Sequence, residues 1–215
     1  MAANPKPTRK KRYVERPDVR KALLDAAETL FIEQGYASAT VRQIAAKAGQ
    51  KHQAIFYYFG SQEELLLALY QRAADLHEER LNVALESDDP IRGIWKVVSD
   101  PGTTVLSLEF MALANHNDMI RREIARRSKT FRKKEVDAIQ QYLDRRGIKA
   151  RISPSLVSIL TTALARVLVQ EKALGINTGH KEIKALIDKS FATFEATGET
   201  SDDVEPIVAA LSHND

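Results

Sequence analysis

An all-α fold is predicted by three observations. Apolar residues recur at helical spacing from about Pro17 onward, no stretch alternates apolar and polar residues over a strand's length, and the interruptions fall at helix-starting and helix-stopping residues. The first helix is expected from Pro17, where Ala22, Leu23, Ala26, Ala27, Leu30 and Phe31 form one apolar stripe. Gly35 sits just past its end, where a left-handed closing residue is cheapest for glycine. A second helix opens at Thr40 with Gln43 three residues on, a capping-box pattern in which two orphan amide groups are satisfied reciprocally. Ile44, Ala45 and Ala48 give it a short inward face, and Gly49 ends it. A third helix is expected from about Gln50 to Tyr58. Gly60 then breaks the chain, and Ser61 with Glu64 makes a second capping box for a long helix reaching about Leu85.

Further helices are expected over about 90–99, 102–115, 118–146, 154–174 and 180–196. Their breaks are Asp88-Asp89-Pro90, Asp100-Pro101-Gly102, Asn115–Asn117, Gly147 and Gly175–Gly179. Ser153-Pro154 is a strong start, because proline at the first helical position lacks only an amide hydrogen that would go unpaired anyway. Four segments follow: a basic arm over 1–16, a three-helix domain over 17–60, a larger helical domain over 61–198 and a tail over 199–215.

Composition narrows the function. Of 215 residues, 44% are hydrophobic and 28% charged, the balance of a soluble globular protein. The absence of cysteine excludes disulfides, thiolate nucleophiles and cysteine-ligated zinc. Met1–Arg12 is polar and basic, without the apolar core of a secretory signal. The longest apolar stretch, Leu156–Val169, is broken by Ser158, Thr161, Thr162 and Arg166, well short of the roughly 18 apolar residues a membrane span requires. A cytoplasmic protein with no membrane partner is expected. Net charge is only +3, but residues 1–60 hold 11 Lys and Arg against 5 Asp and Glu, whereas the remainder holds 21 against 24. Basicity confined to the first quarter points to a polyanion docking there.

The segment Thr40–Phe59 gives that polyanion a reader. Two short helices joined by a glycine-containing turn, packed on an alanine-rich first helix, make a helix-turn-helix. Ile55 and Phe59, four apart, anchor the third helix inward. Gln53 and Tyr57 share another face, with Lys51 and His52 at the N-terminal end, the part of a recognition helix that meets base edges.

Around these residues the chain resembles the TetR family of transcriptional regulators. The resemblance rests on Ala27–Phe31 with Gly35, Thr40-Val41-Arg42-Gln43-Ile44-Ala45, Ala48-Gly49, and Phe56-Tyr57-Tyr58-Phe59 followed by Ser61-Gln62-Glu63-Glu64-Leu65, and covers about residues 18–70. It implies phosphate contacts from Thr40, Arg42 and Tyr57, and base contacts from Lys51, His52 and Gln53. Arg12, in the cluster Arg9-Lys10-Lys11-Arg12, would track phosphates or enter the minor groove. Two residues depart from the family pattern. Gln53 replaces the usual glycine and has an amide suited to bidentate pairing with adenine. Gln62 replaces the usual phosphate-binding lysine, which leaves that contact neutral.

The resemblance further implies a homodimer on a palindromic double-stranded operator, and a small-molecule effector in the larger domain. Leu160, Leu164, Val167 and Leu168, with Ile183, Leu186, Ile187 and Phe191, are the expected dimer surface. Pocket candidates are Trp95, Leu106, Phe110, Met111, Asn115, His116, Phe131 and Arg166. For the apolar members core packing is the plainer reading. Arg166 is a permanent charge inside an apolar helix and needs a partner if buried. An acidic ligand, a carboxylate across the dimer or water would each serve, and the dimer or structural role is favoured. No cofactor or metal is expected, since His52, His77, His116, His180 and His213 have no ligand spacing. No enzymatic constellation is present either. The rival reading keeps the fold but makes the chain a DNA-bound scaffold or architectural protein controlled by a protein partner.

Overall fold

A computed structural model describes residues 16–148 and 152–197, which are helical with no strand among the described residues. The chain divides into two compact units, one ending at Ala68 and the other beginning at Leu69. The division falls inside a helix. The arm that carries Arg12 and the tail expected from residue 199 lie outside the described residues.

The first unit contains α1 (Pro17–Gln34), α2 (Val41–Lys47), α3 (Gln53–Phe59) and the start of α4 (Gln62–Leu85). α1 buries Leu23, Leu24, Ala26, Ala27, Leu30 and Phe31, and its alanines let α2 pack closely against it. Ile44, Ala45, Ile55, Phe59 and Leu65 are also buried in this unit. Gly35 has φ 77°, as its place after α1 requires. The chain then makes a single 3-10 turn over Tyr36–Ser38, which periodicity does not announce. Only local backbone bonds build it, from Ser38 N–H to the Gly35 carbonyl at 3.2 Å and from Ala39 N–H to the Tyr36 carbonyl at 3.1 Å.

The second unit contains the rest of α4, then α5 (Pro90–Val98), α6 (Pro101–Ala114), α7 (Asp118–Arg146), α8 (Pro154–Ala173) and α9 (His180–Thr197). Four of these starts are fixed by side-chain caps. Asp89 accepts from the Arg92 amide at 2.9 Å, Asp100 from Thr103 at 2.9 Å, Asn117 from Ile120 at 3.0 Å and Ser153 from Leu156 at 3.2 Å. α8 packs against α5, α6 and α7. Leu81, Ile91, Ile94, Val98, Ile139, Tyr142, Leu143 and Ala165 form one apolar cluster that welds α4, α5, α7 and α8 together. Gly93 permits the tightest approach, because a Cβ there would lie 2.6 Å from the Ala84 carbonyl oxygen. Among the described residues no helix is long and apolar enough to cross a membrane.

Candidate nucleic-acid interface

The helix-turn-helix is set by backbone and cap geometry. Thr40 caps α2 by accepting from the Gln43 amide at 3.4 Å. The reciprocal half of the expected box takes another form: the Thr40 hydroxyl donates to Gln43 Oε1 at 2.7 Å, while the Thr40 amide goes to the Ser38 carbonyl at 2.9 Å. α2 closes with a double bond set, from Gln50 N–H to the Ala45 carbonyl at 2.8 Å and from Gly49 N–H to the Ala46 carbonyl at 3.1 Å. Gly49 has φ 64°, and nothing lies within 4 Å of where its Cβ would be, so backbone conformation rather than space requires glycine. Lys51 and His52 complete the turn, which is why α3 begins at Gln53 and not at Gln50.

α3 turns Ile55 and Phe59 into the core and leaves Gln53, Phe56 and Tyr57 outside. Tyr57 meets Tyr58 edge-on at 4.9 Å, and the Tyr58 hydroxyl accepts from the Arg16 amide at 3.2 Å, tying α3 to the start of α1. Arg20 lies over the Phe59 ring at 5.0 Å. Thr40, Arg42, Lys51, His52, Gln53 and Tyr57 are all exposed. Arg42 and Lys51 have no ion pair among the described residues, whereas Lys47 is held by Glu33 at 3.2 Å. Sequence reasoning left out Phe56, which is 50% exposed one turn from Gln53; its exposure has no sequence signal, since the pattern around it marks only the inward residues. Gln62 is half-buried. Its Nε2 donates to the carbonyl of buried Ala39 at 3.0 Å, so it fastens the turn before α2 to the start of α4.

The effector candidates of the second unit separate into three groups. Leu106 and Phe110 are buried, and Trp95 and Phe131 pack half-buried against the apolar cluster. Met111, Asn115 and His116 are exposed at the C-terminal end of α6. Arg166 is exposed by area, and no hydrogen bond or ion pair reaches it among the described residues. Of the expected dimer residues, Val167 is exposed and Leu160, Leu164, Leu168, Ile183, Leu186 and Ile187 are half-buried. Phe191 packs on its own chain's core, with Arg92 over its ring at 4.9 Å.

A polar cluster that no sequence pattern announces joins α7 and α8. Arg132 donates to the Ser158 hydroxyl, Ser158 donates to Glu135, and Arg132 pairs with Glu135 at 3.2 Å. Glu135 is 4% exposed, and burial pushes its carboxyl above the ordinary 4.5 despite Ser158, Arg132 and Arg166. Burial pushes the Tyr70 hydroxyl up to about 12, with Glu123 adding to it. Burial lowers His77, and Arg166 and Arg80 lower it further. The Arg166 guanidinium is likewise pushed down, first by the protein around it and then by Arg132. Exposure by area together with that desolvation means that solvent reaches Arg166 while protein still crowds its charge.

A model of the tetR family of bacterial regulatory proteins matches residues 23–69. The dual regulator CecR of Shigella flexneri is 51% identical over 61 residues, 28% of this chain and only 27% of CecR. The repressor AcnR of Corynebacterium glutamicum is 27% identical over 205 residues, covering 87% of this chain and 95% of AcnR. A regulator of Saccharomonospora viridis solved in complex with choline matches the fold at TM-score 0.66 and 18% identity, over 74% of this chain and 88% of that one. A TetR-family regulator of Rhodococcus sp. matches at TM-score 0.62 and 21% identity, over 72% and 87%. These relatives are named regulators of transcription. Residues 23–69 thus match the DNA-binding part of the TetR family, and the helical fold behind them is similar to that of TetR-family regulators.

Proposed function

We propose that the chain is a repressor that binds a palindromic operator as a homodimer and leaves it when a small amphipathic molecule occupies the second unit. The observation that carries the DNA reading is the outward edge of the helix-turn-helix, where Arg42 and Lys51 have no counter-ion among the described residues and stand beside exposed His52, Gln53 and Tyr57. Free cations of this kind displace condensed counterions from phosphates, and Gln53 presents an amide to an adenine edge. Phe56 adds an apolar surface for a thymine methyl group. AcnR, similar over most of its length, is named a repressor.

Dimerisation through α8 and α9 accounts for the apolar stripe that α8 leaves outside, Ile159 and Val167 among its members. A two-fold pair of reading heads about 34–36 Å apart would enter successive major-groove faces. Release then requires only that ligand favour a different spacing, with α4 as the carrier because it runs unbroken from Gln62 to Leu85. The choline complex of the Saccharomonospora viridis regulator supports small-molecule control in this fold. The test is selection of an operator from random duplexes by the full chain, then a screen of metabolites for release. A ligand-controlled repressor gains melting temperature and loses DNA in the same samples. If no compound does both while a protein partner does, control by small molecules is wrong.

A further inference from the structure

We propose that Gln62 is a positioning residue for DNA binding: it holds the bend that aims the start of α2, and with it Thr40 and Arg42, at the phosphate backbone. This rests on the DNA reading above and adds to it the side chain that sets where those two residues stand.

The bend is an inverse γ-turn centred on Ala39. The Thr40 amide donates to the Ser38 carbonyl at 2.9 Å, and Ala39 has φ −81° and ψ 54°, close to the values of such a turn. The residue before it is fastened to the end of α1, since the Ser38 hydroxyl donates to the Gln34 carbonyl at 3.1 Å. The residue after it starts α2, with Thr40 accepting from the Gln43 amide at 3.4 Å and donating to Gln43 Oε1 at 2.7 Å. Ala39 itself is 0% exposed, and its carbonyl takes the hydrogen bond from Gln62 Nε2 at 3.0 Å. The donor is placed in turn by Ser61, which accepts from the Glu64 amide at 3.1 Å as α4 begins at Gln62. A neutral amide suits this half-buried place, because it donates without taking a full charge out of water. Removing the donor leaves the carbonyl of a buried residue unpaired, and turning the bend toward water would relieve it. Arg42 stands on the first turn of α2, two residues past the Thr40 cap, so its direction follows the bend.

The test uses the full-length protein and an operator selected from random duplexes. Gln62→Met keeps the length of the side chain and removes the donor. It is expected to weaken operator binding about three- to ten-fold, as the loss of one hydrogen bond does. Arg42→Ala should then cost several-fold less in the Gln62→Met chain than in the wild type, whereas Gln53→Ala, on α3, should cost the same in both. Amide exchange of the DNA-free protein gives a readout that a direct contact of Gln62 with phosphate would not move. The Thr40 and Gln43 amides should exchange about three- to ten-fold faster in Gln62→Met, with Ile55 on α3 unchanged. Gln62→Glu separates positioning from an effect on the start of α4. An ionised glutamate is favourable at a helix N-terminus yet has no proton to donate, so it should speed the same two amides. Wild-type exchange at Thr40 and Gln43 in these variants would overturn the proposal, as would additive costs of Gln62→Met and Arg42→Ala. If Gln62→Met does not fold, the coupling and the exchange are read in Gln62→Glu. A wild-type chain that binds no duplex removes the DNA reading and this role with it. Wild-type binding that Gln62→Met leaves untouched removes the role of Gln62 alone.

Discussion

The two units place their polar groups in opposite ways. In the first, the core is apolar and rich in small residues, and the cations and amides that matter stand outside, on a turn and a seven-residue helix. In the second, polar and charged groups reach the interior, where Glu135 and Ser158 are buried among helices. The difference teaches that exposed cations need only a rigid frame beneath them, whereas buried charges need partners on neighbouring helices. Substitutions in the first unit should therefore split cleanly into those that unfold and those that only weaken DNA binding. In the second unit the two effects should mix.

The largest effect belongs to the buried side of α3. Ile55→Ala, at a 0% exposed position, is expected to cost about 2–5 kcal/mol of stability and to take DNA binding with it. Chemical denaturation checks the first and anisotropy on operator DNA the second. Gly93→Ala comes next. Alanine is the better helix former, yet its Cβ would meet the Ala84 carbonyl at 2.6 Å, so a loss of about 1–3 kcal/mol is expected. A gain in melting temperature would contradict the close crossing of α4 and α5. Gln53→Ala sharpens the contrast from the exposed side of α3. Discrimination at one operator position should fall by about 1–3 kcal/mol while the melting curve stays where it was.

Smaller effects come from caps and titration. Asp100→Ala removes the cap of α6 and should cost about 1 kcal/mol. In acid the second unit holds opposing carboxylates. Glu78 is held low chiefly by its hydrogen bond from Lys134, and Glu123 by that from Arg126. Their stabilisation is complete above the ordinary 4.5 and is lost as pH falls through their lower folded values. Glu135 runs the other way, because its folded value is raised: its contribution is present below 4.5 and is lost as pH rises through the folded value. Glu135→Gln should therefore flatten the melting profile on the side approaching neutrality and leave the acid limb unchanged.

Most of the helical frame is legible in the sequence because its signals are local. α7 occupies the expected 118–146, since Asn117 and Gly147 mark both ends within one turn of what they cap. Thr40, Gly49 and Ser61 work the same way. The same locality explains the errors. The start of α3 is displaced because Lys51 and His52 carry no turn-specific residue type, yet the preceding closure at Gly49 commits them to the turn. The hydrogen bond from Gln62 is not legible in the sequence because its partner, the Ala39 carbonyl, lies 23 residues away. The cluster around Glu135 is invisible for a like reason: Ser158 is 23 residues from Glu135 and 26 from Arg132, on another helix. Arg166 stands out in the sequence as a charge in an apolar helix, and the sequence does not show that burial and Arg132 on another helix push its guanidinium down.

The central claim is that unpaired cations on the helix-turn-helix neutralise DNA phosphates in two symmetric copies, and operator affinity as a function of salt tests it most directly. With Arg42 and Lys51 unpaired among the described residues of each of two protomers, the plot of log affinity against log salt should fall with a slope of about −4 or steeper, and Arg42→Ala should flatten it by about 2 in the dimer. A slope near zero, or one that Arg42→Ala leaves alone, would contradict the account.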